Sequence, residues 1–91
     1  MTQPSVLVVL FDDVQSLDVT GPVEVFAGAG KAAGSAYEIR TASLDGAPVR
    51  TSSGLMLVPD SGLADAAAPH TLLVPGGNGT RTPDPRLIDW L

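Results

Sequence analysis

The sequence predicts an α/β fold with a mostly parallel sheet, and three observations predict it. Val6 to Phe11 is an apolar run of strand length. Thr71 to Val74 is a shorter apolar run, of the kind buried on both faces of a parallel sheet. Between them Val23, Phe26, Ala27 and Gly30 fall on one helical face.

Each element follows from local chemistry. After the first strand, Phe11 to Gln15 is a loop whose acids, Asp12 and Asp13, read most simply as solvated, although at the strand's carboxyl end they could line a pocket. The helix is expected to open at Gly21 or Pro22. Proline suits a first turn, where its missing N–H costs nothing, and Glu24 favours the positive end of the helix dipole. It is expected to fade through the glycines of residues 28–34. Tyr37 to Ser43 alternates as a second strand. Asp45-Gly46 has hairpin chemistry, so Val49 to Thr51 is expected to return antiparallel. Ser53-Gly54 is another turn, before a short strand at Leu55 to Val58. Pro59 to Pro69 is a loop with a helical turn around Leu63 to Ala67, and Pro75 to Gly79 is a sharp turn. Asp84 then caps a helix that has Pro85 at its first position and carries Leu87, Ile88, Trp90 and Leu91.

That last helix reaches Leu91 without a glycine cap or a closing basic turn. Apolar residues make up 44% of the chain and charged residues only 16%, and the mean hydropathy is +0.24. Such a small particle has much surface to keep in water. The expectation is the amino-terminal portion, residues 1–91, of a single larger domain whose remainder covers the apolar surface.

The net charge of −5 argues against nucleic-acid binding by this segment, because Lys31, Arg40, Arg50, Arg81 and Arg86 are scattered. Cysteine is absent, which excludes disulfides, thiolate metal sites and a cysteine nucleophile within these residues. The first apolar run lacks a basic flank and is too short for a signal peptide, and no run approaches membrane-spanning length. A cytoplasmic location and no membrane partner are the resulting expectations. Asn78-Gly79-Thr80 matches a glycosylation sequon but reads as a turn.

Asp18 is the leading chemical candidate, an acid just past the carboxyl end of the first strand, where α/β sheets keep their ligands. Its alternative is structural, as an acceptor for N–H groups at the helix start. The two stand about even, and Asp18 reads as slightly early for the structural role. The turn Pro75-Gly76-Gly77-Asn78-Gly79 is next. Glycines after a buried strand let backbone N–H groups approach a ligand or an oxyanion, although such residues also simply make tight turns. It is neither a phosphate loop nor a dinucleotide fingerprint. His70 reads as an ordinary exposed loop residue at the amino end of its strand. No metal-ligand spacing exists and no cofactor is expected.

Taken together, the strand Val6-Leu7-Val8-Val9-Leu10-Phe11 and the segment Leu17-Asp18-Val19-Thr20-Gly21-Pro22-Val23-Glu24-Val25-Phe26 resemble the amino-terminal half of a ThiJ/PfpI superfamily domain. Val49 to Leu55 and Leu72-Leu73-Val74-Pro75-Gly76-Gly77 match in the same order. The resemblance implies a class I glutamine amidotransferase-like, flavodoxin-like three-layer sandwich with a mostly parallel sheet and a small β-hairpin insertion. In that superfamily an acid after the first strand supports a nucleophilic cysteine in a strained downstream elbow. Asp18 aligns with the acid, and Gly76-Gly77 with the backbone bordering the oxyanion region. The elbow would follow the helix that begins at Pro85, so these residues alone are expected to be catalytically inactive.

Two branches share the Asp-Val/Leu-Thr-Gly-Pro signature: GlxA-like transcriptional regulators of the AraC type, and isonitrile hydratase-like enzymes. Ala47 to Leu55 and Thr82-Pro83-Asp84-Pro85 resemble the regulator branch more. The resemblance therefore implies a small-molecule-sensing domain with Asp18, Gly76, Gly77 and Asn78 bordering the pocket. DNA would be contacted only through a carboxy-terminal region outside these residues, and the full-length protein would be a homodimer. The alternative is a cysteine-dependent isonitrile hydratase- or amidase-like enzyme whose nucleophile lies beyond Leu91.

Overall fold

Five consecutive apolar residues, Val6 to Leu10, are all buried because their strand is covered on both faces. A computed structural model describes residues 4–34, 37–81 and 84–90; Thr82, Pro83 and Leu91, named above, lie outside them. In chain order the elements are β1 (Ser5–Leu10), α1 (Ser16–Ala33), β2 (Glu38–Ser43), β3 (Val49–Arg50), β4 (Met56–Leu57), β5 (Ser61–Gly62), β6 (Thr71–Leu73) and α2 (Pro85–Trp90). The sheet runs β5-β2-β1-β6, and its three pairings are parallel. β1 aligns Ser5 with Glu38 on one side and Val6 with Thr71 on the other.

Alternation along β1 makes three layers. Val6, Val8 and Leu10 pack with Val19, Val23 and Phe26 of α1, whereas Leu7 and Val9 pack with Leu63, Leu87 and Trp90. Leu63 opens a 3-10 turn, Leu63–Asp65, which brings the loop after β5 into the second core. The aromatic pair Phe26 and Tyr37 meets edge to face at 5.2 Å.

Four expectations are corrected. α1 opens at Ser16, not at Gly21 or Pro22, so Pro22 lies within the helix and Asp18 in its first turn. The helix stops within the expected span but does not fray before it: it holds through Ala33, and Gly34, at φ 75, bonds back to the Gly30 and Lys31 carbonyls. The hairpin turns at residues 52–54 and joins β3 to β4, with Val49 opposite Leu57. The segment after Asp45-Gly46 does not return on β2, because β5 occupies that edge through Ala42–Ser61 and Ser43–Gly62. Finally, β6 is not buried on both faces; Leu72 is 41% exposed and Val74 45%. Among the described residues β6 is an edge strand paired only with β1.

Candidate functional site

The site forms where the β1–α1 loop meets the loop after β6. Gln15 is the N-cap of α1, with extended backbone and no side-chain cap bond. A capping box would return the carboxylate at the third helical position to the N-cap N–H. Here the Gln15 N–H donates instead to the Gly76 carbonyl at 2.9 Å, and Asp18 Oδ2 accepts the Gly76 N–H at 3.2 Å. Gly76 thus takes the N-cap N–H and the N3 carboxylate, while the Asp18 N–H donates to the Gln15 carbonyl at 3.0 Å. The Asp18 charge also faces the positive end of the helix dipole.

The glycines permit this contact sterically. A Cβ on Gly76 would stand 2.8 Å from Asp18 Oδ2. At Gly77, φ is 143° and a Cβ would lie 2.5 Å from the Asp13 carbonyl oxygen. A Cβ on Gly79 would run into the Asp12 carbonyl and the Phe11 ring. Val14 and Gly77 form an antiparallel bridge whose ladder bond comes from the flanking Gln15 N–H. In a pair of that kind the residues' own N–H groups point away from each other, so the Gly77 N–H is turned out of the ladder. The Gly77 carbonyl accepts from the Thr80 N–H at 3.1 Å and the Thr80 hydroxyl at 2.7 Å. Asn78 is exposed and opens a 3-10 turn, Asn78–Thr80. Asp18, Gly76 and Gly77 are therefore brought together, with Asn78 beside them.

A cavity of about 330 Å³ lies on the other side of the β1–α1 loop, at the carboxyl ends of β1 and β2. Asp12, Asp13, Asp45, Asp84 and Arg86 line it, and Asp18, Gly76 and Gly77 do not. The sequence pattern marked only the Asp12-Asp13 pair, because the others come from separate segments. Arg86 joins two of those segments, meeting Asp84 Oδ2 at 3.0 Å and Asp45 Oδ1 at 3.6 Å. The Arg86 side-chain hydrogen bond, then its backbone N–H, holds the Asp84 carboxyl below its usual value. The same bond, with both carboxylates beside it, pushes the Arg86 guanidinium up. Asp12 Oδ1 accepts the Arg50 N–H at 3.1 Å. Asp13, at φ 63, is the one non-glycine residue with positive φ among those described.

Chemically, the Asp18 cluster sets an exposed carboxylate, bonded to the Gly76 N–H, beside a further backbone donor, an arrangement that can orient a ligand or a proton. Among the described residues no three His, Cys, Asp or Glu side chains group as a metal site, and no helix is long and apolar enough to cross a membrane.

The model of the DJ-1/PfpI family matches residues 4–91. A Streptomyces lividans protein described as "Uncharacterized protein in cpoL 5'region" is 42% identical over 73 residues, covering 80% of this chain and 51% of that protein. The chain thus spans about half the length of this curated relative. A THiJ/PfpI family protein from Pseudomonas syringae has the same fold, with a TM-score of 0.79 and 19% identity over 99% of this chain and 37% of that one. An AraC family transcriptional regulator from Pseudomonas putida matches with a TM-score of 0.73 and 24% identity, over 94% of this chain and 56% of that one.

Proposed function

The chain belongs to the DJ-1/PfpI family, and from that premise we propose that it forms part of the small-molecule-sensing domain of a GlxA-like, AraC-type regulator. The observation that carries the proposal is the Asp18 carboxylate fixed on Gly76 at the carboxyl ends of β1 and β6. Ligands of parallel α/β sheets bind at strand ends of this kind. Asp18 offers the acceptor, the outward Gly77 N–H a donor, and exposed Asn78 an amide that can do either. The fold is shared with an AraC family transcriptional regulator from Pseudomonas putida, which supports the regulator reading. In this proposal DNA is contacted by a separate carboxy-terminal region, the full protein is a cytoplasmic homodimer, and residues 1–91 have no catalytic activity of their own.

The test is to sequence the source reading frame downstream of the Leu91 codon and assay the encoded protein for binding to its own upstream DNA by gel shift. Two helix-turn-helix units with specific retardation are expected. A frame that closes soon after a cysteine elbow replaces this proposal with the isonitrile hydratase- or amidase-like enzyme. A stop codon at Leu91 overturns both.

A further inference from the structure

We infer that Gly76 is a positioning residue for Asp18: it holds one carboxylate oxygen and leaves the other to a ligand or reacting group. The inference rests on the proposed role of Asp18 and adds a residue that acts through it. The Gly76 N–H donates to Oδ2 at 3.2 Å. A Cβ at position 76 would stand 2.8 Å from that same oxygen, so a side chain there displaces the carboxylate.

Pro22 provides the complementary half of the device. It lies four residues after Asp18 inside α1, and a proline has no N–H to give the carbonyl four residues back. The ladder bond that would tie the Asp18 carbonyl to the following turn is therefore missing. Gln15, the N-cap, also donates its N–H to Gly76. The first turn of α1 is thus held by the glycine turn as well as by its own helix, where the Asp18 N–H donates to the Gln15 carbonyl at 3.0 Å, so the Asp18 side chain is tied to the loop after β6.

Side-chain length is read by the same contact. Glutamate at position 18 would carry its carboxylate one methylene past the Gly76 N–H. The two neighbouring glycines thereby divide the work: Gly76 orients the acid, and Gly77 keeps its N–H out of the ladder.

NMR of the isotope-labelled protein tests this without knowledge of the ligand. In a pH titration the Gly76 amide proton is expected to move with the same midpoint as the Asp18 carboxyl carbon. The Asp18 α–β proton couplings are expected to report one rotamer. Asp18→Asn keeps an acceptor and should abolish the Gly76 titration; Gly76→Ala should average the Asp18 couplings. A glycine needed only for a tight turn would leave its amide proton flat through the Asp18 titration, and that result overturns the inference. Averaged Asp18 couplings in the wild type overturn it equally. Should Gly76→Ala fail to fold, the wild-type titration and Asp18→Asn decide. Failure of the sensor proposal appears separately, in the downstream frame and the gel shift.

Discussion

Ser5 and His70 are bonded in both directions: the Ser5 N–H donates to His70 Nδ1 at 3.0 Å, and the His70 N–H donates to Ser5 Oγ at 3.0 Å. The pair closes the amino ends of β1 and β6, one residue before Val6 meets Thr71. His70 is exposed, as its sequence position suggests, yet it ties the central strand to the edge strand. His70→Ala and Ser5→Ala should each lower the unfolding free energy by about 1 kcal/mol. The Ser5 hydroxyl also lies 3.2 Å from His70 Nδ1, so a double-mutant cycle in urea should show that the two losses do not add.

Glycines at two places should respond in opposite directions to the same substitution. Gly79→Ala forces a methyl into the Asp12 carbonyl and the Phe11 ring, and should cost at least about 2 kcal/mol. Gly28→Ala, on the exposed side of α1 with nothing within 4 Å, should stabilise by about 0.4–1 kcal/mol. Thermal unfolding of the two variants measures both signs.

Leu63 is 2% exposed and packs with Leu7, Val9 and Leu87 although it belongs to a single 3-10 turn. Leu63→Ala should cost about 2–5 kcal/mol, a core-sized loss from a segment that the sequence presents as a loop with a single helical turn. Chemical denaturation checks the magnitude.

The Asp84–Arg86 contact should show itself on the acid side. The folded-state carboxyl of Asp84 lies below its usual value of 3.8, with the Arg86 hydrogen bond as the leading cause. Its contribution is therefore present above that value and is lost as pH falls through the lower folded one. Asp84→Asn should be less stable than wild type at neutral pH, and the difference should shrink toward pH 2. Unfolding curves at the two pH values decide, and the effect should be small because the pair is exposed.

The sheet was legible in the sequence because its signals are local. The uninterrupted apolar run of β1 and the Asp84-Pro85 opening of α2 sit where expected, the latter with Asp84 Oδ1 accepting the Arg86 N–H at 2.9 Å. What was misread depends on partners far along the chain. Gln15 starts α1 without a capping side chain because Gly76 completes its cap, and nothing near Gln15 announces that. Gly21-Pro22 then resembles a helix start, although the proline is interior. Asp45-Gly46 has hairpin chemistry, but β5 already holds the edge that a returning strand would need. The cavity beside Arg86 escaped for the same reason, since Asp45 and Asp84 meet only through the fold.

The placement of β1 at the centre of the parallel sheet has a consequence for biosynthesis. β1 is made first, but its bonded neighbour on one side arrives only with His70 and β6, 65 residues after Ser5. At roughly 5–20 residues per second on the ribosome, that is a wait of about 3–13 s. Throughout it, an uncharged segment, Ser5-Val6-Leu7-Val8-Val9-Leu10, keeps an open edge able to pair with another nascent chain. Non-local parallel pairing of this kind is inherently slow to form. The yield of folded protein should therefore depend on translation pace and chaperone supply more than on the stability of the finished sheet.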